Sequence, residues 1–91
     1  MEFEWDEAKR SANRIKHGID FQDVVGVFDE FTYTEYDERF DYGETRFFTF
    51  GLLFGEVVAI SHTEEDNLIR IISVRKAEKY EQEKYFRNVR D

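Results

Sequence analysis

Apolar and polar positions follow two different periods along this chain. Asp6 stands where a helix N-cap belongs, directly after Trp5, and Gly18 closes the segment as a residue past a helix end does. Between them Ala8, Ala12 and Ile15 recur at spacings of four and three, which predicts a short amphipathic helix resting on a core. Asp20 reads as a second N-cap, with Phe21, Val24, Val25 and Phe28 as the apolar side of a second short helix. From Thr32 the period falls to two. FTYTEY alternates ring and hydroxyl, and TRFFTFGLLF is rich in β-formers. Leu53-Phe54-Gly55-Glu56 predicts a hairpin turn into VVAISHT, and EEDNL a turn into IRIISVR. From Lys76 to Asp91 helix formers return, with Ala77, Tyr80, Lys84, Tyr85 and Phe86 along a partly apolar stripe. The predicted order is ααββββα. It describes an α+β domain with two N-terminal helices, an antiparallel sheet of three to four strands and a C-terminal helix.

Composition narrows the class. The 91 residues suit one domain, 1–91, with no Pro, no Cys and only 5 Gly to interrupt it. Ten Phe and five Tyr supply the core that so short a chain otherwise lacks. No stretch approaches the roughly 20 apolar residues of a membrane span, and MEFEWDEAKR lacks the apolar run of a secretory signal. The expectation is a soluble, cytoplasmic protein. The net charge of −8 argues against a nucleic-acid partner, but the charge is uneven. Residues 1–18 are neutral, 19–68 carry −11 and 69–91 carry +3, so the two ends are free to form a less negative surface.

The first predicted helix also carries chemistry. At 100° per residue, Asp6, Lys9, Asn13 and Lys16 fall within about one quarter of its circumference, with His17 at the edge. Such a face is either simply solvated or a grip for phosphate, since ammonium groups, a carboxamide and an imidazole together bind phosphate and move protons. His17 either caps the last helix carbonyls or acts as a phosphate ligand or general acid.

FEWDEAKRSANRIKHGIDF resembles the N-terminal signature of BrnT-type toxins at Phe3, Trp5, Asp6, Lys9, Asn13, Lys16, His17, Gly18 and Phe21. The similarity continues through Val27-Phe28-Asp29, Gly43-Glu44-x-Arg46, the run from Ile69 to Ala77, and Glu81 and Tyr85. It implies a RelE-like fold and a ribonuclease that cleaves RNA without metal or other cofactor and slows translation. It also implies a BrnA-like antitoxin partner that binds DNA and represses its own operon. DNA would then be met only through the antitoxin, in a heterotetramer or larger complex, and no membrane is involved. Two departures stand out: Val74 where Ala is usual, and the acidic SHTEED where a basic residue is expected near Glu65.

RNA cleavage without metal needs help for the attacking 2′-hydroxyl, stabilisation of the phosphorane and a proton for the leaving 5′-oxygen. Arg46 and Arg75 are the favoured phosphorane ligands, with Arg70 in reserve as a substrate contact. Residues 70 and 75 differ by an odd number, so a regular strand points them to opposite faces, and both reach one site only if Arg75 lies at the strand's end, where a helix begins. His17 is expected to transfer the proton, Lys9 and Lys16 to bind phosphate or stabilise charge, and Asn13 to contact substrate. His62 is a second imidazole outside the family pattern, and Glu44 either acts as base or orients Arg46. A different class also fits: a binding module that no longer cuts RNA and serves as antitoxin partner and co-repressor, favoured by the acidic middle. A metal site built from His17, His62 and carboxylates lacks ligand spacing. Tyr33, Tyr36, Phe40 and Tyr42 either mark the antitoxin contact or cover the sheet.

Overall fold

Phe3 and Trp5, which the sequence pattern assigns to no element ahead of the first helix cap, belong to a strand. In a computed structural model, which describes residues 1–39 and 41–89, Glu2–Trp5 forms β1 and pairs in parallel with β5, Leu68–Lys76. The remaining strands, β2 (Tyr33–Tyr36), β3 (Phe47–Leu53) and β4 (Glu56–Glu65), pair antiparallel, and the sheet order is β1-β5-β4-β3-β2. The expected antiparallel sheet of three to four strands is therefore corrected to a five-stranded mixed sheet. Four residues with only two apolar side chains are too short a pattern to read as a strand, and the partner lies some 65 positions away.

The helices are α1 (Glu7–His17), α2 (Phe21–Val24) and α3 (Lys79–Val89). The pair of N-terminal helices is also corrected, because α2 is a single turn that continues as a 3-10 segment over Val25–Asp29. The caps are as expected. Asp6 accepts from the N–H groups of Ala8 and Lys9, Gly18 takes φ 71°, and Asp20 accepts from the Gln22 N–H. Both hairpin turns hold two residues at positive φ, Phe54-Gly55 and Asp66-Asn67, the geometry that suits a two-residue loop.

The sheet is covered on both faces. Ile19, Phe21, Val24 and Val27 from the α1–α2 side pack on Val58, Ile60, Ile69, Ile71 and Val74. The 3-10 segment lies so close over β3 that a Cβ on Gly51 would run into the Val27 side chain. On the other face Tyr85 of α3 joins Phe48, Phe50, Val57, Ala59 and Ala77. Its hydroxyl donates to the Phe31 carbonyl, and Lys84 pairs with Glu35, which fixes α3 over β2 and β3.

The contact side of α1 is not the apolar stripe. Ala8, Ala12 and Ile15 are exposed, Ile15 by 86%, whereas Arg10, Asn13 and His17 turn inward at spacings of three and four. Asn13 is 6% exposed, and its carboxamide donates to the Ile19 carbonyl and accepts from the Val74 N–H. Arg10 forks onto Asp20 and lies over Trp5. That pair lowers Asp20 to about 2, chiefly through the Arg10 hydrogen bond. Hydrogen bonds to backbone and loop dock this helix, so a hydrophobicity pattern points to the wrong side.

Candidate active site

A β-bulge decides which arginines meet. The β4–β5 register shifts between Ser61 and His62, so that Ser61 pairs with Ser73 and His62 with Ile71. The extra residue in β5 reverses parity, and Ile69, Ile71 and Val74 all enter the α1-side core. Arg70 and Arg75 consequently both lie on the α3-side face, which corrects the expectation that they point apart. Arg46 leads into β3 on that same face, because its carbonyl accepts from Asp37 and continues the β2–β3 pairing.

Arg75 is held from behind. Its Nη1 and Nη2 donate to the two carboxylate oxygens of Glu81 at 2.7 and 3.0 Å, and Glu81 also accepts from the Glu78 N–H at the start of α3. Burial raises the Glu81 carboxyl, but the hydrogen bonds from Arg75 and Glu78 outweigh it and keep it below the usual carboxylate range. The Glu81 hydrogen bond in turn raises Arg75, which stays charged. Arg39 repeats the device with Asp37, donating through Nε at 2.9 Å and Nη2 at 3.2 Å. Both guanidinium groups lie against one ring, Phe48, with Cζ 4.7 Å (Arg39) and 5.6 Å (Arg75) from its centroid. Tyr42 donates its hydroxyl to Asp37, and Arg46 stacks on the Tyr42 ring at 3.8 Å. The buried Nε of Arg46 has no hydrogen-bond acceptor among the described residues.

Arg75, Phe48, Arg39, Asp37, Tyr42 and Arg46 thus form one continuous chain of contacts along the open rim of the sheet. Arg46 and Arg75 stand two strands and four rows apart, on the order of 15 Å at Cα in ideal sheet geometry. Arg70 lies beyond, in a cleft with Glu4, Glu44, Thr63 and Glu64. Glu44 is exposed and pairs with no arginine among the described residues, whereas the Arg46 guanidinium lies over the ring of Tyr42.

The other predicted residues lie elsewhere. Lys9 and Lys16 are exposed on α1. His17 is half-buried in a cleft with Asp23, Phe54, Glu56 and Lys76. The sheet stands between that cleft and Arg75. Asn13 is interior and has both ends of its amide engaged with backbone. His62 is 2% exposed in the α1-side core, between the rings of Phe28 and Phe47, and bonds Thr49 through Nε2. Of the four rings, Tyr33 stacks on Phe50, Tyr42 supports Arg46, Tyr36 is exposed beside Phe47, and Phe40 lies outside the described residues. Sequence reasoning missed Arg39, Asp37 and Glu81 as parts of the site. Only Glu81 left a signal, six residues after Arg75, where a strand runs straight into a helix.

A family model described as "Ribonuclease toxin, BrnT, of type II toxin-antitoxin system" matches residues 5–81. The chain belongs to this BrnT toxin family. The matched span includes every arginine of the rim and ends on Glu81. Membership makes it a ribonuclease toxin of a type II pair and implies an antitoxin protein as partner. No match was found among individually curated proteins. No helix among the described residues is long and apolar enough to cross a membrane.

Proposed function

We propose that this BrnT family member is a metal-independent endoribonuclease whose RNA strand lies along the arginine rim on the α3-side face. The observation that carries this reading is the bidentate Glu81–Arg75 pair, which holds a permanently charged guanidinium rigid at the cleft mouth. In the reaction the 2′-hydroxyl attacks the adjacent phosphorus, negative charge grows on the equatorial oxygens, and the 5′-oxygen leaves with a proton. A preoriented arginine stabilises that charge without reorganising, which is worth roughly 10²–10³ in rate for one good donor. With Glu81 on Nη1 and Nη2, the Nε side of Arg75 is the edge that reaches phosphate. Arg46 and Arg70 extend the positive track. Cleavage of this kind slows translation in the cytoplasm, and a cognate DNA-binding antitoxin silences it in a heterotetramer or larger complex.

Purified protein incubated with RNA in excess chelator should leave 5′-hydroxyl and 2′,3′-cyclic phosphate ends. Cleavage that disappears with chelator, or that leaves 3′-hydroxyl ends, would overturn the metal-independent reading. In cells, induced expression should arrest growth, and the product of the neighbouring gene should relieve it.

One observation favours the second reading, a binding module that does not cut RNA. Each of three cations in the α3-side cleft has its own carboxylate: Arg75 with Glu81, Arg39 with Asp37 and Lys84 with Glu35. Absence of both arrest and cleavage at high protein concentration would leave that role alone.

A further inference from the structure

We propose that Arg39 is a second phosphate-binding residue, gripping the phosphate next to the scissile one while Arg75 serves the scissile phosphate itself. The inference rests on the ribonuclease reading and deepens it. Its ground is a duplicated device. Arg39 and Arg75 lie against the same ring, and each is gripped from behind by a carboxylate in two-point geometry. The carboxylates are sunk and the cations project. Asp37 and Glu81 side chains are 1% and 6% exposed, against 58% for Arg39 and 29% for Arg75.

A lone surface ion pair explains none of this. An arginine placed only to neutralise Asp37 would have no reason to lie over Phe48 in the cleft that Arg75 lines. Asp37 is over-determined as an anchor, accepting also from the Arg39 N–H and the Tyr42 hydroxyl. Such anchoring lowers the entropy cost of holding a long side chain at a ligand. The contact chain then continues through Tyr42 to Arg46, so Arg39 is the intermediate step of a track that follows a strand. A phosphate contact of this kind positions the strand and carries no sequence information.

The number of phosphates in the substrate separates this role from a catalytic one. A dinucleoside monophosphate has only the scissile phosphate, whereas a hexanucleotide has flanking ones. Arg39→Ala should lower kcat/KM on the hexanucleotide on the order of tenfold more than on the dinucleoside monophosphate. Arg75→Ala should impair both equally. Binding of a non-cleavable 2′-O-methyl hexanucleotide, followed against salt, should lose about 0.7 from its log–log slope in Arg39→Ala and nothing in Arg39→Lys. Equal loss on both substrates, or an unaltered slope, overturns the assignment. If Arg39→Ala melts early, Arg39→Gln carries the same measurements. A wild-type protein that cleaves neither substrate refutes the ribonuclease reading, while the salt slope on the non-cleavable strand still judges Arg39.

Discussion

The two faces of the sheet are built from the same kinds of residue but organised in opposite ways. The α1 side is closed, with nine buried apolar residues in one cluster and its polar members, Asn13 and His62, turned inward and bonded. The α3 side is half open, and two of its arginines, Arg39 and Arg75, are paired so that the carboxylates are buried and the guanidinium groups are more exposed. A polar residue on the first face serves the fold, because an unpaired interior polar group is costly. On the second face the buried partner serves to aim a cation. Burial alone does not distinguish a structural polar group from a functional one. What the exposed end of the pair can still reach does.

The sharpest break of this contrast is Arg75→Ala against His17→Ala. Loss of the Arg75 guanidinium should reduce RNA cleavage on the order of 10²–10³, as removal of one preoriented transition-state donor does. His17→Ala and Lys9→Ala should change the rate by less than about threefold, because the sheet separates α1 from the arginine rim. Initial rates on one oligoribonucleotide, with folding checked by circular dichroism, decide it. A collapse of activity in His17→Ala would move the chemistry to the α1 side.

Asn13→Ala should show the reverse dissociation. It strands the Val74 N–H and the Ile19 carbonyl in the interior, at roughly 1–3 kcal/mol for each group left unpaired. Urea unfolding should show that loss, while cleavage measured well below the melting point stays near wild type. Undiminished stability would mean that Arg10 and its partners alone dock α1.

The strands β2 to β5 and the helix caps were legible because their causes are local: period-two alternation, turn residues and N-cap aspartates. The parts that were not legible depend on partners distant in sequence. β1 exists because β5 offers it an edge, and nothing within EFEW announces that. The inward side of α1 is chosen by backbone groups at Ile19 and Val74, so Ala8, Ala12 and Ile15 misled. On a regular strand Arg70 and Arg75 would point apart, and one bulged residue brings them to the same face. Arg39 has no pattern of its own, since its placement comes from Phe48 of β3 and from Asp37, just past the end of β2.

The closed face carries the smallest of these effects, a pH dependence that the open face should not share. Burial pushes the His62 imidazole below its ordinary pKa, against the Thr63 carbonyl and Glu64, which act in the other direction. The Nδ1 atom faces the Thr63 carbonyl, an acceptor only, which places the proton there and leaves Nε2 to accept from Thr49. Thr49 in turn can accept from the Thr34 hydroxyl, so the neutral ring completes a chain of three donors. In the unfolded chain His62 titrates near pH 6.5. Below that value the unfolded state takes up a proton that folded His62 resists, so stability is full above about pH 6.5 and falls as the pH drops toward the depressed folded value. Asp20, Asp37 and Glu81 are depressed carboxyls, and their losses come at lower pH, from the ordinary carboxylate range downward. Urea midpoints at pH 7.5, 6.5 and 5.5 should therefore decline in the wild type and decline less in His62→Gln. The Arg75–Glu81 pair does not titrate in this interval. A decline of equal size in His62→Gln would show that the closed face is indifferent to the charge on this ring.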